Sequence, residues 1–166
     1  TAAFALPILE RLSKIMQRPK PGTPRALILA PTRELAIQIG DNVQAYGRFL
    51  KLRHAVNVGG VNQFPQVKAL KQGVDILVAT PGRLCDLMRQ GYIHLNEIEV
   101  FVLDEVDRML EMGFIEDIQE VLSHIPEKRQ TLFLSATMTP KIVALAQTMV
   151  KNPVRISIAP NKPAVE

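Results

Sequence analysis

Six short apolar runs recur along the chain with helical spacing between them, and this alternation leaves few folds open. They are RALILA (25–30), HAVNV (54–58), DILVAT (75–80), VFVLD (100–104), TLFLS (131–135) and VRISI (154–158). Several are apolar at nearly every position instead of alternating, which marks strands covered on both faces, as in a parallel sheet. Between them, Leu35, Ile39, Val43 and Tyr46 form one helical stripe, and Ile118, Val121, Leu122 and Ile125 form another. The expected class is therefore α/β, with a mostly parallel central sheet, right-handed crossovers and helices on both faces.

Boundaries follow from local chemistry. Thr80-Pro81 and Thr139-Pro140 each place an N-cap hydroxyl before a proline at the first helical position. Gly73 and Gly91 close the helices before the third and fourth strands. The stretch RPKPGTPR (18–25) reads as a loop with solvated charges, and the Met109, Leu110, Met112 and Phe114 cluster reads as core. TAAFALPILERL starts in helical rhythm, with Phe4, Ile8, Leu12 and Ile15 on one side and no strand before it. The expectation is a domain over 1–158 that is entered partway, followed by a tail or interdomain linker at 159–166, where two prolines interrupt any periodicity.

Composition narrows the function classes. At 166 residues the chain is long enough for one domain with a real core, and 47% apolar with 22% charged residues argues against disorder. Twenty basic against sixteen acidic residues leave +4, which permits an anionic partner without demanding one. A single cysteine, Cys85, excludes an internal disulfide and reads as a small buried hydrophobe. The three histidines have no metal-ligand spacing. No apolar run suffices to span a bilayer and no signal peptide is visible, so a reducing, cytoplasmic setting is expected.

In doubly wound sheets ligands sit at the carboxyl ends of the strands. Here those ends carry PTRELA (31–36), GG (59–60), TPGR (80–83), DEVD (104–107) and SAT (135–137). VFVLDEVD runs from buried β-formers straight into Asp104, Glu105 and Asp107. Three carboxylates expected within a few ångströms raise one another's pKa unless a cation compensates. An apolar strand ending in Asp-Glu matches the way P-loop NTPases hold Mg²⁺: Asp104 would anchor the ion, through water, and Glu105 would orient water for attack on a γ-phosphate. Capping of the next helix is the competing reading.

PTRELA, GG and TPGR point to a second anion site. Helix N-termini offer free N–H groups and a positive dipole end. Thr32 and Thr80 add hydroxyls, Arg33 and Arg83 add charge, and Gly59, Gly60 and Gly82 allow close approach of a phosphodiester backbone. Each loop singly is also explained by a capped helix or tight turn; three at neighbouring strand ends are not. Ser135 and Thr137 present hydroxyls that can reach the acids, Asp107 above all. Low aromatic content, 5% with no Trp, disfavours base stacking and favours sequence-independent backbone contact.

With these motifs in order, the chain resembles the first RecA-like domain of the DEAD-box RNA helicases, from Thr1 to about Ile158. The resemblance implies a three-layer RecA-like fold and an ATP- and Mg²⁺-dependent enzyme that unwinds short RNA duplexes or remodels RNA–protein complexes. It implies catalytic roles for Asp104 and Glu105, and coupling of hydrolysis to RNA release by Asp107, Ser135 and Thr137. Pro31, Thr32, Arg33, Gly59, Gly60, Thr80, Pro81, Gly82 and Arg83 would lie along the RNA backbone. Thr1 resembles the last residue of the Walker A motif. The box reads DEVD, with Val106 where the family has Ala. The Walker A glycines and Lys, its strand and the second RecA-like domain with its arginine finger are not in the sequence. The chain alone is therefore expected to hydrolyse ATP negligibly and its sheet to show unpaired edges. A non-catalytic RNA-binding module and an interaction scaffold of the same fold remain open at this point.

Overall fold

The computed structural model describes residues 1–158, so the tail expected at 159–166 lies outside the described residues. The strands are β1 (Ala26–Leu29), β2 (His54–Asn57), β3 (Ile76–Ala79), β4 (Val100–Leu103) and β5 (Gln130–Phe133). They form one sheet in the order β2-β3-β1-β4-β5, and every pairing is parallel. The helices are α1 (Ala2–Lys14), α2 (Arg33–Tyr46), α3 (Phe64–Gln72), α4 (Pro81–Arg89), α5 (Val106–Glu111), α6 (Ile115–His124) and α7 (Pro140–Met149). None of the described helices is long and apolar enough to cross a membrane.

Strands β1, β3 and β4 are buried at all four positions, as their unbroken apolar runs require. Alternate side chains feed two cores. Ala26, Ile28, Ile76, Val78, Val100 and Val102 face α1 and α2, packing on Phe4, Ile8, Leu12, Ile39 and Val43. On the other face, Leu27, Leu29, Leu77, Phe101 and Leu103 meet side chains from α3 to α7, among them Leu70, Leu84, Met109, Val121 and Leu145. Phe101 is fully enclosed, so truncating it to Ala costs about 3–5 kcal/mol. Helix α2 crosses β2 so tightly that a Cβ on Gly40 would lie 2.3 Å from Val56 Cγ2.

Several expectations need correction. The run 154–158 is not a strand: Val154, Ile156 and Ile158 are 88%, 84% and 91% exposed, and no neighbouring strand pairs with them. Its alternation satisfies the local requirement for a strand, but a strand exists only by pairing. β5 pairs with β4 alone and is exposed or half-buried throughout, unlike the three inner strands. Helix α2 buries Ala36, Ile39, Gly40 and Val43 but leaves Tyr46 exposed, and Ile15 is exposed past the end of α1. Met109 is core, whereas Met112 is exposed.

Loop 18–25 holds a charge that is not solvated. Arg25 is 5% exposed; its Nε donates to Glu99 Oε2 at 2.6 Å, and Nη1 donates to the carbonyls of Leu12 and Ile15 at 3.3 and 2.9 Å. The guanidinium thus closes the C-terminal end of α1, whose last carbonyls have no helical partner. Thr139 caps α7 by accepting from Ile142 N at 3.4 Å, but Thr80, although at the N-cap of α4, makes no side-chain cap bond.

Candidate functional site

Register builds the site. Asn57 pairs with Ala79, Ala79 with Leu29, Leu29 with Leu103 and Leu103 with Phe133, so all five strands end on one row. The five motif segments therefore leave the sheet along one edge. Backbone bonds carry the ladder one step further: Thr80 N donates to Asn57 O (3.1 Å), Ala30 N to Ala79 O (3.0 Å), Asp104 N to Leu29 O (3.0 Å) and Leu134 N to Leu103 O (2.9 Å). Because β1 leads out toward β2 and β4 lies on its other side, the strand order reverses at β1. A switch point is where a ligand crevice is expected, and the strand order places PTRELA there, between TPGR and DEVD.

The three carboxylates do not crowd together. Only Cys85, Asp117 and Glu120 bring ligand atoms within 4.8 Å of one another among the described residues. That trio offers no ready metal site: burial first, then Glu120 and Asp117, pushes the Cys85 thiol up to about 12, and Glu120 is taken by Arg89 Nε at 3.1 Å. At the strand edge each acid has its own surroundings, because the chain turns sharply between them.

Asp104 is held above the usual carboxylate range, mainly by burial and further by the charge of Glu105. The Glu105 backbone N–H acts in the opposite sense. Thr1 is the N-cap of α1 and makes no side-chain cap hydrogen bond. Glu105 adopts φ 53°, ψ 54°, the left-handed region, an arrangement costing a non-glycine residue roughly 1–2 kcal/mol. Its Oε2 is buried without a hydrogen-bond partner and reaches Arg108 Nη1 only at 3.6 Å. A desolvated carboxylate beside a carboxylate oxygen that holds no hydrogen bond fits a hydrated divalent cation, which would favour the ionised form of Asp104.

Asp107 points elsewhere, toward the segment after β5. Its Oδ2 accepts from the Thr137 hydroxyl at 3.1 Å and the Thr137 N–H at 3.2 Å, while Ser135 Oγ donates to Thr137 O at 2.7 Å. Val106 is fully buried and its N–H donates to Leu134 O at 3.0 Å, so the DEVD turn is stitched to the SAT segment.

The remaining loops form the other half of the edge. Thr32 Oγ1 caps α2 by accepting from Leu35 N at 3.2 Å, directly after Pro31. Arg33 Nη1 reaches Gly60 O at 3.5 Å, and Gly60 takes φ +73°; a Cβ there would meet the movable end of that guanidinium at 2.8 Å. Gly59 has open space around it, and a Cβ on Gly82 would make only an ordinary 3.9 Å contact with Phe114. Arg83 turns inward, donating from Nη1 to Gln66 Oε1 at 3.0 Å and from Nη2 to Val61 O at 2.9 Å. Gln66 is a residue the sequence reading missed: between Gln63 and Gln72, nothing local distinguishes it.

Residues 1–145 match the DEAD/DEAH box helicase family. The chain is 46% identical over 168 residues to the ATP-dependent RNA helicase DRS1 of Kluyveromyces lactis, covering 100% of this chain and 22% of that protein. It is 45% identical over 174 residues to the ATP-dependent RNA helicase RhlB of Pseudomonas putida, covering 100% of this chain and 43% of the relative. Among solved structures, the yeast DEAD-box splicing factor Prp28 superposes with a TM-score of 0.84 at 35% identity, over 90% of this chain and 36% of that one. The chain thus spans less than half the length of each of these relatives.

Proposed function

The chain belongs to the DEAD/DEAH box helicase family, and from that premise we propose that it is the first RecA-like domain, residues 1–158, of an ATP-dependent RNA helicase. In this reading the edge has two halves. The first, Thr1 with Asp104 and Glu105, takes Mg²⁺-ATP; the second, the PTRELA, GG and TPGR loops, takes an RNA backbone without reading its bases. The observation that carries this is the shared strand-end row, which sets an acidic turn and three loops with N–H donors and arginines side by side across one switch point.

Asp104 is the residue that would hold the ion through water, and Glu105 would orient the attacking water. An ion held there would supply neutralisation of the charge developing on the transferred phosphoryl group. The Asp107–Thr137–Ser135 group ties the acidic turn to the segment after β5, so that a change at the nucleotide can be felt beyond it. The relatives' greater length supports a second RecA-like domain joined through 159–166, which would complete the ATP site and bend the bound strand on closure. The chain alone hydrolyses ATP negligibly in this reading. A cytoplasmic setting agrees with a single, buried, unreactive thiol.

The test is binding of the chain to single-stranded RNA and to DNA of the same sequence, by fluorescence anisotropy at several salt concentrations. RNA preferred over DNA, with affinity falling steeply as salt rises and nearly equal for different base sequences, is expected. Equal, weak binding to both would refute the RNA half of the proposal.

A further inference from the structure

The loop after β2 has no regular structure over 58–62, yet it is tied from behind. Gln66, in the first turn of α3, donates Nε2 to Val58 O at 3.1 Å and accepts Arg83 Nη1 at Oε1 at 3.0 Å. Arg83, in the first turn of α4, returns to the loop through Nη2 and Val61 O at 2.9 Å. One carboxamide therefore joins the end of β2, the start of α3 and the start of α4, and Arg83 closes the ring around Gly59 and Gly60.

The chemistry selects glutamine. The tie needs one donor and one acceptor on a single planar group, which a carboxamide supplies. A carboxylate would keep Arg83 but face the Val58 carbonyl with no hydrogen to give. The loop's other side-chain ties lie beyond Val58: Arg33 Nη1 reaches Gly60 O at 3.5 Å and Asn62 Oδ1 accepts from Phe64 N at 3.0 Å, while Asn57, one residue before Val58, is fully buried with neither amide atom hydrogen-bonded. Arg83 spends two of its five N–H groups on protein acceptors, so the direction in which the others point is fixed by Gln66 and Val61.

We propose that Gln66 is a positioning residue for the nucleic-acid edge: through its two hydrogen bonds it holds Arg83 and the Gly59–Gly60 loop in the arrangement that meets an RNA phosphate. The proposal rests on the RNA reading above. It differs from a packing role in one respect. Removing an uncharged side chain should remove an electrostatic contact, because the arginine it aims is no longer aimed.

The experiment uses the chain with Gln66→Met, Arg83→Met and the double substitution. Methionine keeps the volume of glutamine and removes both hydrogen bonds. Gln66→Met is expected to weaken binding of a single-stranded RNA roughly tenfold and to lower the slope of log K against log salt by about one phosphate contact, as Arg83→Met does. The double variant should be no worse than Arg83→Met. Without RNA, amide exchange over residues 59–63 should rise about tenfold in Gln66→Met while β1 and β4 keep their protection. Should Gln66→Met fold poorly, Gln66→Glu is the second variant, expected to loosen the loop by exchange while retaining most of the salt slope. Wild-type affinity and slope in Gln66→Met, or additive losses in the double variant, overturn the proposal. A wild-type chain that binds no RNA overturns the RNA reading; unchanged exchange over 59–63 separately overturns the tie.

Discussion

Asp107 Oδ2 accepts two hydrogen bonds from Thr137, one from the hydroxyl at 3.1 Å and one from the backbone N–H at 3.2 Å. The pair links α5, which follows the acidic turn, to the segment leaving β5. Thr137→Val removes one bond and keeps the other, so stability should fall by only about 0.5–1.5 kcal/mol at this exposed site. The functional effect should be larger. In the complete gene product, ATP hydrolysed per RNA duplex unwound is expected to rise several-fold; an unchanged ratio would show that the link does not couple the two.

Glu105 offers a conformational test independent of any ligand. Its left-handed backbone suits glycine, so Glu105→Gly should be more stable than Glu105→Ala by roughly 1 kcal/mol, although both lose the same carboxylate. Urea midpoints of the two variants measure this. Equal midpoints would mean that the strain is not stored at this residue.

The ionisation of Asp104 has a definite sign. Its folded pKa lies above the unfolded value because burial disfavours the charge. Between those two values the folded state binds more protons than the unfolded state, so stability falls as pH rises through this window and stays lower above it. Asp104→Asn removes that loss. The variant should melt above wild type at pH 7, and the gap should shrink as pH is lowered below the folded pKa of Asp104. Mg²⁺ should raise the wild-type melting temperature more than that of the variant. A gap that widens on acidification contradicts this account.

The glycines separate fold from ligand. Gly60→Ala forces a positive φ on alanine and pushes Arg33 aside, so it should destabilise the chain by about 1–2 kcal/mol. Gly82→Ala meets nothing closer than 3.9 Å and should leave stability unchanged within about 0.5 kcal/mol. If a phosphate approaches the main chain at Gly82, RNA affinity should nevertheless fall. Unaltered affinity in Gly82→Ala would remove this residue from the RNA edge.

What the sequence discloses is governed by range. Continuous apolar runs announce inner strands because burial on both faces is a local demand, and β1, β3 and β4 meet it; in-register ends then bring the five motifs to one edge. What depends on distant partners stays hidden. Arg25 sits in a proline-rich loop with Arg18 and Lys20 like any solvated charge, and its acceptors lie 10, 13 and 74 residues away. Gln66 is one of several similar glutamines until Arg83 and Val58 are beside it. The run 154–158 has the right alternation without a neighbour, and the acids of DEVD, adjacent in sequence, are parted by the left-handed turn at Glu105.

The most direct test of the central claim is RNA-stimulated ATP hydrolysis by the complete gene product, wild type against Glu105→Gln. The substitution keeps size and hydrogen bonding but removes the carboxylate that would orient water. The account predicts turnover that requires RNA in the wild type and collapses by about 10²-fold or more in the variant, with RNA still bound. No turnover in either protein, with RNA bound by both, would contradict it and leave an RNA-binding module in place of an enzyme.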